Sequence, residues 1–161
     1  MGTFYESLQA LVNARAEWKR AGKTVVFTNG CYDLLHPGHI RLLEQARSLG
    51  DILILALNTD ASVRRFKGPS RPVMSERERA EAVLALEAVD AVVFFDEDTP
   101  RELIAEVIPD ILVKGADWSH FIAGREEVEA AGGRVLPVPL EPGWSTTNLV
   151  DRILEEQRSL Q

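Results

Sequence analysis

Two of the three histidines in this 161-residue chain lie three positions apart, in the stretch HPGH at residues 36–39. Such a pair suits three kinds of role. With Cys31 and Asp33 just before them, the imidazoles are zinc-ligand types. At a helix N-terminus they can donate hydrogen bonds to a phosphoryl group. In a purely structural turn they only cap the helix and pack.

The proline of this motif fixes where the two imidazoles lie. Pro37 disfavours helical dihedrals at His36, so we expect His36 to be extended and the helix to run from Pro37 to Leu49. That helix N-terminus carries unpaired N–H groups and partial positive charge, and Gly38 leaves room for a ligand to approach the backbone. The position favours binding of one phosphoryl group by His36 and His39 together.

The zinc interpretation is the weaker one. The spacing of Cys31, Asp33, His36 and His39 is not a standard zinc pattern, and the sequence has no second ligand pair elsewhere. We therefore predict no metal site made of protein side chains. For Cys31 alone, packing as a small hydrophobe is the favoured interpretation, and for the histidines helix capping stays open as the structural alternative.

A basic segment, RRFKGPSR at residues 64–71, stands out in an otherwise acidic chain. Nucleotidyl and phosphoryl transfer require mainly positioning and stabilisation of charge on phosphate oxygens, a task that suits lysine and histidine. Lys67 precedes Gly68 and Pro69, and we predict that it forms an anion clamp in a loop. Arg64 and Arg65 are interpreted as solvated surface charges.

Three further turns carry polar residues that suit nucleotide binding. Backbone N–H groups after a strand bind phosphate, a glycine permits close approach to a base or ribose, and hydroxyls before a helix cap it or bind phosphate. Three hydroxyl residues in a row exceed what one helix cap needs. The candidates are Thr28, Asn29 and Gly30 before the HPGH turn, Lys114, Gly115 and Asp117 in VKGADW, and Ser145, Thr146 and Thr147 before the last helix.

Alternating strands and helices must position these turns. Near-continuous apolar runs indicate strands covered on both faces, and the alternation predicts an α/β fold with a doubly wound, five-stranded parallel sheet and helices on both faces. Ligands then bind at the carboxyl ends of the strands, where the strand order reverses. The predicted strands are residues 23–30, 51–58, 91–95, 110–114 and 134–138, and the predicted helices are 4–20, 37–49, 75–86, one starting at 99–100, and 147–160. We expect a single domain over residues 1–161, with an N-terminal helix within residues 1–21 packed on it.

Composition excludes several classes of protein. The net charge of −7 argues against extensive contact with nucleic acid. With 45% hydrophobic and 27% charged residues and no apolar run near 20 residues, membrane insertion is not expected. The N-terminus lacks the pattern of a secretory signal, and a lone Cys31 agrees with a reducing compartment. The expected location is the cytoplasm.

Taken together, these motifs resemble those of the cytidylyltransferase-like nucleotidyltransferases, which carry an HxGH motif on a Rossmann-like parallel sheet. Within that family the resemblance is to the D-glycero-β-D-manno-heptose 1-phosphate adenylyltransferases, the domain type found in ADP-heptose synthases. It runs from about Gly22 to the end of the chain. The stretches that carry it are GKTVVFTNGCYDLLHPGH, LNTDASVRRFKGPSRPV, ALEAVDAVVFFDEDTP, PDILVKGADW and STTNLVDRI.

The resemblance implies transfer of AMP from ATP to the sugar 1-phosphate, with release of pyrophosphate and with Mg²⁺ as cofactor. It implies that His36 and His39 contact the triphosphate and stabilise charge at the α-phosphorus, that Lys67 neutralises phosphate oxygens, and that Arg79 assists. The remaining residues implied to bind nucleotide are Asn29, Gly30, Cys31 and Asp33 in the first turn, and Lys114, Gly115, Asp117, Ser145, Thr146 and Thr147 around ribose, base and phosphates.

Two alternative functions stay open. One is a cytidylyltransferase, or an adenylyltransferase for another phosphorylated alcohol such as glycerol 3-phosphate. Related cytidylyltransferases usually carry an arginine where this chain has Leu140, Glu141 and Pro142. This difference weakens the cytidylyl assignment, and the base preference rests on the resemblance. The other is a nucleotide-binding regulatory module, which has no evident need for two histidines and a lysine together.

The resemblance also bears on partners. Relatives are usually homodimers, so a homodimer is expected. Many members of the family are fused to a sugar kinase, and this sequence shows none. We therefore expect a separate kinase and phosphatase to supply the sugar 1-phosphate.

Overall fold

A computed structural model of the chain describes residues 1–115 and 121–161. Within those ranges it contains six strands and seven helices. The strands are β1 (Thr3–Tyr5), β2 (Val25–Gly30), β3 (Ile52–Asn58), β4 (Ala91–Phe95), β5 (Ile111–Gly115) and β6 (Arg134–Val138). The helices are α1 (Leu8–Arg20), α2 (Pro37–Arg47), α3 (Asp60–Lys67), α4 (Glu76–Leu84), α5 (Arg101–Val107), α6 (Arg125–Ala130) and α7 (Thr146–Ser159).

All six strands form one parallel sheet in the order β1-β4-β3-β2-β5-β6. From β2 the chain continues to β3 and β4 on one side, and β5 and β6 add on the other side. The strand order therefore reverses between β2 and β5, and their carboxyl ends flank the crevice where ligands bind in such sheets. The predicted doubly wound, Rossmann-like α/β fold is confirmed.

Alternate residues of the central strands belong to two apolar cores, one on each face of the sheet. In β2, Val25 and Phe27 belong to the core that contains Leu11 of α1 and Ile104 of α5, whereas Val26 belongs to the opposite core. That second core holds the buried side chains of α2 and α4, among them Leu43, Ala46 and Val83. Two-sided burial explains why β3 reads ILILALN without alternating polar residues.

The predicted number of strands was wrong by one, because residues 3–5 form an edge strand and not the start of a helix. Ser7 accepts a hydrogen bond from the Ala10 N–H, so the first helix begins only at Leu8. Phe4 packs against Phe94 of the neighbouring β4, with ring centroids 4.9 Å apart. Thr, Phe and Tyr all favour strands, and β1 pairs in parallel with β4.

Most helix starts follow the expected capping signals. Ser75 and Glu78 form the predicted capping box at α4. Pro100 is the N-cap of α5 and not its first helical residue, and the short α6 was not predicted. No helix among the described residues is long and apolar enough to cross a membrane.

Candidate active site

A cavity of about 650 Å³ lies at the carboxyl ends of the central strands. It spans the point where the strand order reverses, since it is lined by the ends of β2, β3, β4 and β5, by the end of α3 and by the turns that follow β2 and β4. Ten of the residues predicted from the sequence line it. They are Thr28, Asn29, Gly30, Cys31, Asp33, His39, Lys67, Lys114, Gly115 and Thr146.

The HPGH turn has the geometry that Pro37 predicts. His36 is extended, with φ −137° and ψ 167°, and it is the N-cap of α2, with Pro37 in the first turn. Its Nδ1 accepts a hydrogen bond from the backbone N–H of His39 at 3.3 Å. The two imidazoles stack with centroids 3.7 Å apart, and His36 is only 7% exposed. Capping and ligand binding are therefore compatible, because the cap uses only one ring nitrogen.

Burial favours the neutral form of both imidazoles. Burial lowers the pKa of His36. Burial, with the nearby charges of His36 and Lys67, lowers the pKa of His39 to about 4. The Nδ1 of His36 accepts a hydrogen bond, so its proton is on Nε2. The Nδ1 of His39 is buried and has no hydrogen-bond partner among the described residues. A neutral imidazole keeps one ring N–H, which can donate a hydrogen bond to a ligand.

Gly38 is required by the close approach of two side chains. A Cβ at this position would lie 2.9 Å from His36 Nδ1 and 3.0 Å from the Cβ of Trp144. The Trp144 ring is stacked beyond His36, with centroids 6.0 Å apart. Gly38 itself is not among the cavity-lining residues, nor is His36. The glycine lets Trp144 pack over the turn.

Asp33 joins the HPGH turn to two other segments. Its buried carboxylate accepts hydrogen bonds from the backbone N–H groups of Val73 and Met74, at 2.8 and 3.0 Å, and lies 4.0 Å from the guanidinium of Arg71. Its carbonyl accepts a hydrogen bond of 2.6 Å from the Thr146 hydroxyl. The loop after the basic segment and the start of α7 are thus both fixed to the turn.

Arg79 is buried next to the site and does not contribute to the cavity wall. The side chain is fully buried, and it does not line the cavity. Its guanidinium donates to the carbonyls of Met74, Cys31 and Asn58, and to the carboxylate of Asp60 at 2.8 Å. This geometry joins the ends of β2 and β3 to the loop before α4, so in this structure Arg79 positions other residues.

The basic segment provides one cation at the cavity. Lys67 is the last residue of α3, not a loop residue as predicted, and it lines the cavity although it is exposed. Arg65 turns away to pair with Asp96 and with Asp98, at 3.4 and 3.5 Å. Arg64 is exposed. The predicted difference between Lys67 and the two arginines agrees with these positions.

Lys114 and Asn29 meet across the two strands at the switch point. The lysine ammonium donates to the Asn29 side-chain oxygen, and nearby the Thr28 hydroxyl donates to the Val113 carbonyl at 3.1 Å. Burial lowers the pKa of Lys114 to about 8. The pairing of β2 with β5 therefore holds a cation on the cavity wall.

The three hydroxyl residues before the last helix have separate roles. Ser145 is the N-cap and accepts from the Asn148 N–H at 3.0 Å. Thr146 lines the cavity and bonds to Asp33, as described above, and Thr147 is exposed. Ser145 and Thr147 do not line the cavity. One of the three is the cap, as predicted, and the helix begins one residue earlier than expected.

Aromatic residues that the sequence did not single out form part of the wall. Tyr32 is buried, and its ring lies 4.8 Å from that of His39. Phe66, Phe95 and Phe121 also line the cavity. The sequence could have pointed to two of these aromatic residues, because Phe95 ends a predicted strand and Tyr32 lies in the turn after one. The predicted Asp117 lies outside the described residues.

Cys31 is half-buried, and burial raises the pKa of its thiol. It donates to the side-chain oxygen of Asn58 at 3.7 Å. Among residues 1–115 and 121–161, no three His, Cys, Asp or Glu side chains are grouped so that they could hold a metal ion.

Comparison with known proteins identifies the class. Residues 27–152 match the cytidylyltransferase-like family. The chain therefore belongs to that family, and it is a nucleotidyltransferase.

The relatives refine this result. The bifunctional protein HldE of Syntrophotalea carbinolica is 59% identical over 138 residues, which are 85% of this chain and 28% of that protein. The bifunctional protein HldE of Geobacter sulfurreducens is 51% identical over 151 residues, or 93% of this chain and 31% of that protein. The chain thus spans less than a third of the length of these curated relatives.

Solved structures agree with this fold. A lipopolysaccharide core biosynthesis protein from Thermoplasma volcanium matches with a TM-score of 0.61 and 30% identity, covering 74% of this chain and 98% of that one. A pantoate-beta-alanine ligase from Francisella tularensis matches with a TM-score of 0.63 over 96% of this chain and 80% of its own. At 13% identity the second likeness shows the fold alone.

Proposed function

We propose that the chain transfers AMP from ATP to D-glycero-β-D-manno-heptose 1-phosphate, forming ADP-heptose and pyrophosphate. The observation that carries this proposal is the convergence of His39, Lys67 and Lys114 on one cavity at the strand-order reversal. The names of the relatives support the sugar phosphate, since the matched proteins are HldE proteins and one lipopolysaccharide core biosynthesis protein.

In the proposed reaction an oxygen of the sugar phosphate attacks the α-phosphorus of ATP. A new P–O bond forms, the bond from the α-phosphorus to the bridging oxygen breaks, and pyrophosphate leaves with the electron pair. This displacement requires no covalent intermediate on the protein. The side chains therefore act by stabilising charge and by holding the reactants in line.

Each proposed role follows from a position in the structure. His39 lines the cavity and donates a hydrogen bond to a phosphate oxygen that gains charge. His36 stacks on it from the helix cap, and its proposed role beside His39 depends on a ligand that reaches past the cavity wall. Lys67 neutralises the phosphates that leave. Lys114 and Asn29, which also line the cavity, bind ribose or base.

Mg²⁺ enters this proposal as part of the substrate Mg·ATP. The substrate phosphates supply oxygen ligands of the kind that Mg²⁺ prefers, and Mg²⁺ is usually held in this way together with substrate phosphates. The other proposed partners are a separate kinase and phosphatase that supply the sugar 1-phosphate. Because ATP is the donor, the proposed location is the cytoplasm.

The test is direct. The chain is incubated with Mg·ATP and the heptose 1-phosphate, and ADP-heptose and pyrophosphate are measured by chromatography and by a coupled phosphate assay. His39→Ala, prepared in the same way, controls for contaminating activity. Parallel reactions use CTP in place of ATP, and glycerol 3-phosphate in place of the sugar. Product only with CTP or only with glycerol 3-phosphate would replace the assignment with the cytidylyl or the alternative acceptor function.

A further inference from the structure

The two histidines of the HPGH turn are the inner members of a stack of four rings. The Tyr32 ring packs on that of His39, with centroids 4.8 Å apart. His39 stacks on His36 at 3.7 Å, and His36 stacks on Trp144 at 6.0 Å with the ring planes 17° apart. We call these four residues the ring column. Each imidazole therefore contacts two other rings, one of which is the other imidazole.

Each outer ring of the column lies against a glycine. A Cβ on Gly30 would lie 2.9 Å from Cε2 of the Tyr32 ring, and a Cβ on Gly38 would lie 3.0 Å from the Cβ of Trp144. Both distances are shorter than ordinary van der Waals contact, so a side chain at either position would displace the ring. The two glycines are therefore required by the ring column, independently of any ligand.

The backbone at Tyr32 is strained where it directs the ring toward His39. Its φ of 50° lies in the left-handed region, which glycine and asparagine adopt far more readily than a bulky residue. Tyr32 is buried and belongs to one of the apolar cores, and core packing accounts for an apolar side chain here. Strain of this kind persists where the surrounding structure determines it, often at functional sites. The ring contact with His39 is one that glycine or asparagine could not make.

Trp144 is held over His36 by a loop that is fixed on both sides of it. Residues 139–145 connect β6 to α7, and we call them the strap. Glu141 of the strap pairs with Arg41 of α2 at 2.9 Å, and the Thr146 hydroxyl directly after the strap bonds to the Asp33 carbonyl. Trp144 itself is 38% exposed. Its truncation should therefore cost less stability than the loss of a core aromatic residue.

The orientation of His39 depends on these ring contacts. The helix cap fixes His36 through its Nδ1, whereas the Nδ1 of His39 is buried without a hydrogen-bond partner among the described residues. His39 is the histidine that lines the cavity. Stacking on both Tyr32 and His36 thus orients an imidazole that no hydrogen bond at this nitrogen holds.

We propose that Tyr32 and Trp144 are positioning residues, which hold the imidazoles of His39 and His36 in one orientation before ATP binds. This inference rests on the proposed function, because it assigns the two imidazoles to the phosphates of ATP. A donor that is already oriented acts on the transition state without reorganisation. A displacement of about 1 Å can lower a rate about 100-fold. The ring column therefore supports the rate and contributes little to the affinity for ATP.

The first experiment measures steady-state kinetics of the full chain with Mg·ATP and the heptose 1-phosphate. Trp144→Ala and Tyr32→Leu should each lower kcat about tenfold and change the KM for ATP by less than about threefold. Trp144→Phe and Tyr32→Phe keep a ring and should recover most of the lost activity. Leu154→Ala is the matched control, because Leu154 is 43% exposed and makes no contact with the column; its kcat should stay within about twofold.

The second experiment does not depend on the reaction. The chain has three histidines, so a ¹H–¹⁵N spectrum of the imidazoles contains only three spin systems. His36 should appear with its proton on Nε2, because its Nδ1 accepts a hydrogen bond. Burial lowers the pKa of His36. Trp144→Ala exposes this ring, so the pKa of His36 should rise toward its ordinary value of about 6.5, whereas Trp144→Phe should keep it low.

The charged groups on the segments packed around the column are unchanged in these variants. They are Asp33 of the turn, Arg41 of α2, Lys67 of α3, Arg71 of the loop after α3 and Glu141 of the strap. A change in the pKa of His36 therefore reports how far the ring is buried.

The outcomes separate the ring column from the proposed reaction. Native kcat together with a native pKa of His36 in Trp144→Ala would overturn the role of Trp144. Equal losses of activity in the truncated and the ring-keeping variants would show that ring contact is not the cause. If Tyr32→Leu does not fold, which thermal unfolding detects, the variants of the more exposed Trp144 still decide the matter. A native chain that forms no product would overturn the proposed reaction, while the imidazole spectra would still test the column.

Discussion

The HPGH turn and the basic segment are the two proposed phosphate-binding regions, and they are built in opposite ways. His36 is 7% exposed, serves as a helix cap and stacks with the rings of His39 and Trp144. Lys67 stands exposed at the end of α3 and makes no ion pair with the described residues. The turn supplies neutral donors whose geometry exists before a ligand arrives. The lysine supplies full charge, which acts over a longer distance and requires less exact placement.

Removal of a fixed donor is expected to have the largest effect. His39→Ala should lower kcat about 10³-fold and change the KM for ATP little, because a pre-positioned donor acts mainly on the transition state. Steady-state kinetics with nucleotide binding measured by calorimetry give both quantities. His36→Asn is the matched variant, since asparagine keeps the helix cap but removes the ring. Equal losses in kcat and in ATP affinity for His39→Ala would contradict the role given to the turn.

Loss of the exposed cation should cost less. Lys67→Met is expected to lower kcat/KM for ATP about 100-fold, with a large share in KM, since the charge attracts the bound phosphates in all states. Arg64→Ala removes a charge from the same helix and should change kcat/KM by less than about twofold. If the two variants were equally active, Lys67 would have no specific role at the cavity.

The link between the two regions can be broken at Asp33. Asp33→Asn replaces one acceptor of the Val73 and Met74 N–H groups with an amide of the same shape. We expect the free energy of unfolding to fall by about 2 kcal/mol and activity to fall about tenfold, because the basic segment is then less well placed. Urea unfolding provides the first quantity. Asp98→Asn, at a carboxylate that is 90% exposed, should leave stability unchanged.

The smallest effect is a change in pH dependence. The pKa of Lys114 is lowered to about 8, so its positive charge is lost as the pH rises through that value. In the native chain kcat/KM should therefore fall above pH 8. Lys114→Arg keeps its charge throughout this range, and the alkaline fall should move to higher pH at a modest cost in rate. A pH profile with the same alkaline limb in both proteins would assign that limb to another group.

The sequence predicted the parts of the site that depend on local rules. Pro37 placed His36 at the helix cap, and the glycine turn placed Asn29 at the end of a buried strand, because both follow from dihedral preferences. Long-range contacts were not predictable in this way. The carboxylate of Asp33 accepts a hydrogen bond from a loop residue 40 positions further along the chain. Arg79 donates hydrogen bonds to backbone carbonyls of three separate segments. The strand at residues 3–5 was missed because three residues carry too little periodicity to distinguish a strand from a helix.

The pairing of Asn29 with Lys114 has a consequence for how the chain folds. These residues are 85 positions apart, whereas β2 pairs with β3 across a much shorter stretch of chain. Contacts between distant segments form late, because the entropy of closing a long loop must be lost before they are gained. During synthesis the sheet of β2 to β4 can assemble while β5 is still inside the ribosome. The cavity at the strand-order reversal then forms as one of the last events of folding, because β5 supplies part of its wall.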